Sequence, residues 1–217
     1  MFRRNVHIIA SVLALSSLPL AAAAPRERLT VRIYDCVGLP GAARRSALLT
    51  AADIFAAASI DVNWIECHTR LTDRQGSAGA PDRDAICDAI PATGELLVRI
   101  VRSDSPFTDA GGVPLGDAVI EPDVRAGGIA TVYYSRVLWL ARSAGTQVAR
   151  LLGRVIAHEL GHLLLARSGH SAAGLMRRGW SHNDVRRNRA QEWTFTQDEV
   201  ALIFSRLQRQ RADARIR

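Results

Sequence analysis

The chain has 217 residues, 48% of them hydrophobic and 23% charged, a balance that excludes an intrinsically disordered protein and leaves room for one well-filled core. Its 28 basic side chains are all arginine, so the formal charge of +7 rests on groups that keep their protons at any working pH. A basic balance raises the question of a nucleic-acid partner, yet aromatics make up only 6%, too few for stacking platforms along a single strand.

In chain order, Arg3 and Arg4 precede an apolar run over residues 6–20, and four alanines at 21–24 follow. Charge, then hydrophobe, then small residues is the order of a secretory signal peptide, assigned here to residues 1–24. Cleavage after Ala23 is the first choice, because Pro25 is a poor residue just behind a cut. The run is short for a membrane span, and Ser11, Ser16 and Ser17 interrupt it. Residues 25–217 are then expected to form a single exported catalytic domain, periplasmic or extracellular, and monomeric. Export makes the cysteines interpretable, because disulfides persist in oxidising compartments. Cys67 and Cys87 bracket a polar loop whose closure would stabilise the fold by about 3 kcal/mol on a chain-entropy account. Cys36 is left as a free thiol on a strand, read as a small buried hydrophobe, with its pairing to either of the others as the alternative.

Residues 29–37 alternate Val31 and Ile33 against Arg32 and Tyr34, the period-2 pattern of a strand, and Gly38, Pro40 and Gly41 end it. Leu48, Leu49, Ala52, Phe55 and Ala56 recur at helical spacing within 42–59, and 60–67 returns to alternation. Together these make a β-α-β unit with parallel strands and a right-handed crossover. Residues 68–93, rich in Asp, Gly, Pro and Arg, read as a surface loop. A third strand is expected over 95–101, a short one over 115–120, and a β-rich run over 129–134 behind Gly127 and Gly128. One long helical pattern follows over 144–166, with Leu151, Val155, His158, His162 and Leu165 on a stripe. A last helix over 196–210 opens with Thr196, and Glu199 stands three residues on, at capping-box spacing. The expected class is α+β: a twisted mixed sheet of about five strands with two long helices.

The chemistry concentrates at His158-Glu159-Leu160-Gly161-His162. A four-residue spacing stacks the two imidazoles on one helix face, about 6 Å apart at Cβ, so both can reach one metal ion. Glu159 lies about 100° round the helix, placed to act on a metal-bound water without being a ligand. Two neutral nitrogens, an adjacent carboxylate and an open position are what zinc-assisted hydrolysis needs. Two hydrogen-bonded core histidines are the plain alternative; the setting, on a long helix behind a strand-rich half, favours the metal. A third protein ligand is wanted, and the downstream candidates are His170, His182, Asp184, Glu192 and Glu199. His170 is preferred because Gly169 can take a left-handed conformation that turns the chain back; Asp184 and His182 are the fallbacks.

These residues resemble the metzincin clan of zinc endopeptidases, most closely its matrixin-like branch. The overlap consists of the five-residue motif, then His170-Ser171, then Gly174-Leu175-Met176. The resemblance implies His158, His162 and His170 as ligands of Zn2+, Glu159 as general base and Met176 as the methionine beneath the metal. In the clan pattern a glycine and the third histidine would fall at Leu165 and Ser168, so two extra residues separate His162 from His170 here. A protein or peptide substrate would lie extended along a strand edge, from 127–134 or 115–120. Its bond would be hydrolysed by a zinc-bound water that Glu159 deprotonates, with the proton passed on to the leaving amine. A non-proteolytic zinc protein or amidase is the first rival. The second is a basic polyanion-binding module, supported by Arg177, Arg178, Arg186, Arg187, Arg189 and the arginine-rich tail. A solvated charged face accounts for those arginines more simply, so no nucleic-acid partner is expected.

Overall fold

The computed structural model describes residues 26–68, 81–103, 114–120 and 128–215; the expected signal peptide and Gly127 lie outside them. The first strand β1 (Glu27–Asp35), helix α1 (Gly41–Ala57) and strand β2 (Ile60–His68) form the expected parallel β-α-β unit. Helix α2 (Pro81–Asp88) precedes β3 (Leu96–Val101), β4 (Gly116–Val119) and β5 (Ile129–Tyr133). Two helices follow at once, α3 (Tyr134–Ser143) and α4 (Val148–Leu165), and then α5 (His182–Arg187), a 3-10 turn (Ala190–Trp193) and α6 (Gln197–Arg215). The strands form one sheet in the order β2-β1-β3-β5-β4, in which only β4 is antiparallel to its neighbour. The class is α+β with a five-stranded mixed sheet, as the sequence pattern implies.

Alternation decides which side of the sheet is core. Val31, Ile33, Val98, Ile100, Ala130 and Val132 are essentially inaccessible, and α1 and α4 join them in one apolar cluster. The two helices cross closely at Gly153, where an added Cβ would run into the Ala47 carbonyl and come within 2.7 Å of Thr50 Cβ. On the opposite side Arg32 is buried with Glu95, its Nη2 donating to Glu95 Oε2 at 2.7 Å. Burial alone would raise the Glu95 carboxyl, but hydrogen bonds from Arg32 and the Ala92 N–H, with the Arg32 charge, bring it below its ordinary value. A carboxyl lowered in the folded state stabilises the fold above its unfolded value near 4.5, and that contribution is lost as pH falls through the folded value. The urea midpoint of the protein is therefore expected to drop below about pH 4.5, and E95Q to flatten that limb. An unchanged acid limb in E95Q would refute this.

Several expectations need correction. Part of the supposed loop over 68–93 is helix α2, fastened to β2 by the Cys67–Cys87 disulfide and to β1 by the Tyr34 hydroxyl, which donates to the Cys87 carbonyl at 2.9 Å. Cys36 is exposed, on a bend just past β1, not buried in a strand. There the Asp35 carboxylate accepts the N–H groups of Val37, Gly38 and Leu39 and turns the chain. Tyr134 begins a helix and does not continue a strand. The β preference of two adjacent tyrosines masked a helical pattern in which Val137, Leu140 and Ala141 are buried. The single helix expected over 144–166 starts only at Val148, because Gly145 takes φ +65° between α3 and α4. Strand β5 is interior, so the run over 127–134 offers no free edge; β4 is the sheet's outer strand on that side.

Candidate metal centre

Helix α4 is buried almost throughout because one side meets the sheet and α1 while the other is roofed by the chain that follows it. His158 and His162 stand one turn apart on the roofed side, each about 6–7% exposed. His158 Nδ1 lies 2.7 Å from the Leu175 carbonyl, and His162 Nδ1 lies 2.8 Å from the Arg167 carbonyl. A carbonyl oxygen can only accept, so both Nδ1 atoms carry the proton and both Nε2 atoms present lone pairs. Burial pushes His158 down to about 4 and also lowers His162, which keeps the rings neutral. The two Nε2 atoms face each other at 3.1 Å. Two converging unprotonated nitrogens repel unless a cation lies between them, so the donor set fits a metal.

The chain brings His170 to the same place by a route other than the one expected. Helix α4 ends at Leu165, and Ala166, at φ 43°, makes the left-handed turn assigned beforehand to Gly169. The His170 ring then lies 4.8 Å from that of His162 and 5.4 Å from that of His158, exposed on its outer side. One nitrogen from each histidine lies within 4.8 Å of the others. Burial and the neighbouring charges of His162, Arg178 and Arg167 lower His170 as well. The fallback ligands are engaged elsewhere. His182 Nε2 pairs with Ser143 Oγ at 2.8 Å, and Asp184 closes a capping box with Ser181 at the start of α5. Glu199 caps α6 through the Thr196 N–H at 2.8 Å, as the spacing implied. Among the described residues, Glu192 joins no metal-holding group either.

Glu159 is 5% exposed, and its carboxyl is pushed up to about 8 by burial, with the nearby charge of Asp117 adding to the effect. It stands against the outer strand: a Cβ on Gly116 of β4 would lie 2.6 Å from Glu159 Oε1. Only glycine leaves room for the acid there. Tyr133 donates to Asp117 Oδ1 at 2.6 Å, while Tyr134 packs on the core.

Met176 is fully buried beneath the motif, and Gly161 makes this possible, since a Cβ there would meet Met176 Sδ at 2.5 Å and Phe195 Cε1 at 2.8 Å. The turn holding it depends on Gly174 at φ +75°, and the Leu175 N–H donates to the Thr194 carbonyl. Trp180 was not singled out in the sequence; it stands edge-on to His158 with ring centres 5.3 Å apart and meets Trp193 at 5.0 Å. Arg154, one turn before His158, is likewise buried, its guanidinium 3.8 Å above the Trp193 ring. Neither had a signal in spacing, because both depend on how the segment after Met176 folds back.

No protein-family model matches the sequence, and no curated protein matches it. Solved structures do resemble the fold. Metalloproteinase-II from Bacteroides fragilis aligns at 13% identity over 85% of this chain and 55% of its own, with a TM-score of 0.42. Archaemetzincin from Methanopyrus kandleri aligns at 16% identity over 87% of this chain and 99% of its own, with a TM-score of 0.52. The chain therefore has a fold similar to that of the archaemetzincin, with three histidines gathered where its long helix meets the turn that follows.

Proposed function

We propose that the protein is a zinc-dependent endopeptidase in which His158, His162 and His170 hold the metal and Glu159 is the general base. The observation that carries this reading is the convergence of three imidazoles, with the buried Glu159 carboxyl next to the first of them in the chain. A structural zinc site closes with four protein ligands. Among the described residues only three gather here, which leaves a position for the reacting groups. Three nitrogen donors suit zinc. Zinc, when bound, would supply Lewis acidity toward water and carbonyl, and a positive charge that favours the ionised form of Glu159. Glu159 accepts a proton from the attacking water at a carboxylate oxygen and hands it to the departing amine. The peptide lies along the outer strand β4, whose Gly116 brings the backbone against Glu159 and whose outer edge, unpaired among the described residues, can pair with an extended chain. Met176 supports the histidines from below.

The Cys67–Cys87 disulfide fits an oxidising compartment, and an exported enzyme is part of the proposal. No helix among the described residues is long and apolar enough to cross a membrane. The test is metal analysis of the purified protein together with digestion of an unfolded protein. One zinc per chain and cleavage that a chelator stops and zinc restores are expected. Cleavage that persists in the chelated, metal-free protein would overturn the reading.

A further inference from the structure

We propose that Glu199, although 40 residues beyond the motif's own glutamate, is a positioning residue for the metal-binding histidines, an inference that rests on the metal-centre reading above. Its side chain is 2% exposed and both oxygens are engaged. Oε2 accepts the Thr196 N–H at 2.8 Å and so caps α6. Oε1 accepts Arg167 Nη2 at 3.1 Å and, in a short hydrogen bond, the Ser171 hydroxyl. Arg167 Nη2 also donates to Ser171 Oγ at 2.9 Å. A helix cap needs only the first of these contacts; the others do nothing for α6.

What they do is join the two ends of the loop that delivers the third histidine. The Arg167 carbonyl accepts the Nδ1–H of His162 and thereby fixes which nitrogen faces the metal. Ser171 follows His170 directly, and its N–H donates to the Met176 carbonyl at 2.8 Å. One buried carboxylate thus ties the residue that orients His162 to the residue that anchors His170. Taking a carboxylate out of water is unfavourable, and such groups persist where they fix one arrangement. Arg167 is 38% exposed on its side chain, so a surface ion pair alone would stabilise little; the geometry it imposes on the loop is the effect expected here.

Glu199→Gln separates the two roles, because glutamine also serves in a capping box while losing the charge that Arg167 answers. The zinc dissociation constant, measured by competition with a chromophoric chelator, is expected to rise about tenfold or more, within the range usual for residues behind metal ligands. The visible absorption of the cobalt-substituted protein should change with it, while the circular dichroism and urea midpoint of the metal-free chain stay near wild type. R167Q should behave like E199Q, R167K should fall between it and wild type, and the double variant R167Q/E199Q should be no worse than either single one. Wild-type zinc affinity and cobalt spectrum in E199Q would overturn the proposal. If E199Q fails to fold, R167Q, changed at the exposed partner, decides by the same two measurements. A wild-type chain that binds neither zinc nor cobalt would overturn the metal-centre reading itself, and this inference with it.

Discussion

Replacing Glu159 by Gln is expected to abolish peptide hydrolysis while leaving the metal bound. The carboxyl is buried, abuts Gly116 and donates to none of the three histidines, so an amide of the same shape keeps the packing and the ligand set. Burial already favours the uncharged carboxyl in the metal-free chain, so the neutral amide introduces no new buried charge. What it lacks is a lone pair basic enough to take a proton. General bases contribute about 100- to 10,000-fold to rate, and kcat on an unfolded protein should fall by at least that range, with KM little changed. Equal zinc content in both proteins, measured beside the rates, separates lost chemistry from lost metal. E159Q with wild-type kcat would exclude Glu159 as the base.

His170→Ala should weaken zinc binding more than about 100-fold, beyond what residues behind the ligands contribute. His170 is the clean choice among the three. It is exposed on its outer side, whereas His158 and His162 are buried, and removing either of those would empty core volume as well as remove a ligand. The metal-free H170A chain is therefore expected to unfold at the wild-type urea concentration. H182A is the control, since His182 is bonded to Ser143 and edge-on to Trp139; its zinc affinity should match wild type. Full zinc occupancy of H170A at a concentration that half-fills wild type would remove His170 from the site.

The parts of this fold that local pattern specifies were legible in the sequence. Val31 and Ile33 alternate because one side of β1 faces the helices, and the i, i+4 pair on α4 is readable because a helix converts sequence spacing into a shared face. The Thr196–Glu199 spacing gave the start of α6 for the same reason. What was not legible depends on partners far along the chain. Helix α3 hides behind Tyr133 and Tyr134, whose β preference yields to the burial of Val137 and Leu140. The turn at Ala166 is a left-handed alanine beside a glycine, Gly169, that does not need the conformation, because the hydrogen bond of the Arg167 N–H to the His162 carbonyl decides where the helix stops. Glu199 reads in the sequence as a cap and as a lesser candidate for the third ligand; its tie to the loop shows only when Arg167 and Ser171 are seen beside it. Trp180 and Arg154 acquire neighbours only when the chain after Met176 folds over the helix.

His158 and His162 are both oriented by main-chain carbonyls, of Leu175 and Arg167, with no carboxylate or other side chain in that position. A carbonyl is present whatever residue occupies the position, so point substitutions at 175 or 167 leave an acceptor in place and can disturb it only by moving the backbone. Insertion or deletion between 162 and 175 is a different matter, because a shift of one residue replaces the Leu175 acceptor, and before 167 the Arg167 acceptor as well, with atoms at other depths and angles. The pair of orienting contacts is thus recorded in segment length more than in residue identity. Over evolutionary time such a site should tolerate drift in those side chains that do not, like Arg167, Ser171 and Glu199, hold the chain path, with length changes admitted only where a new turn restores the same two oxygens.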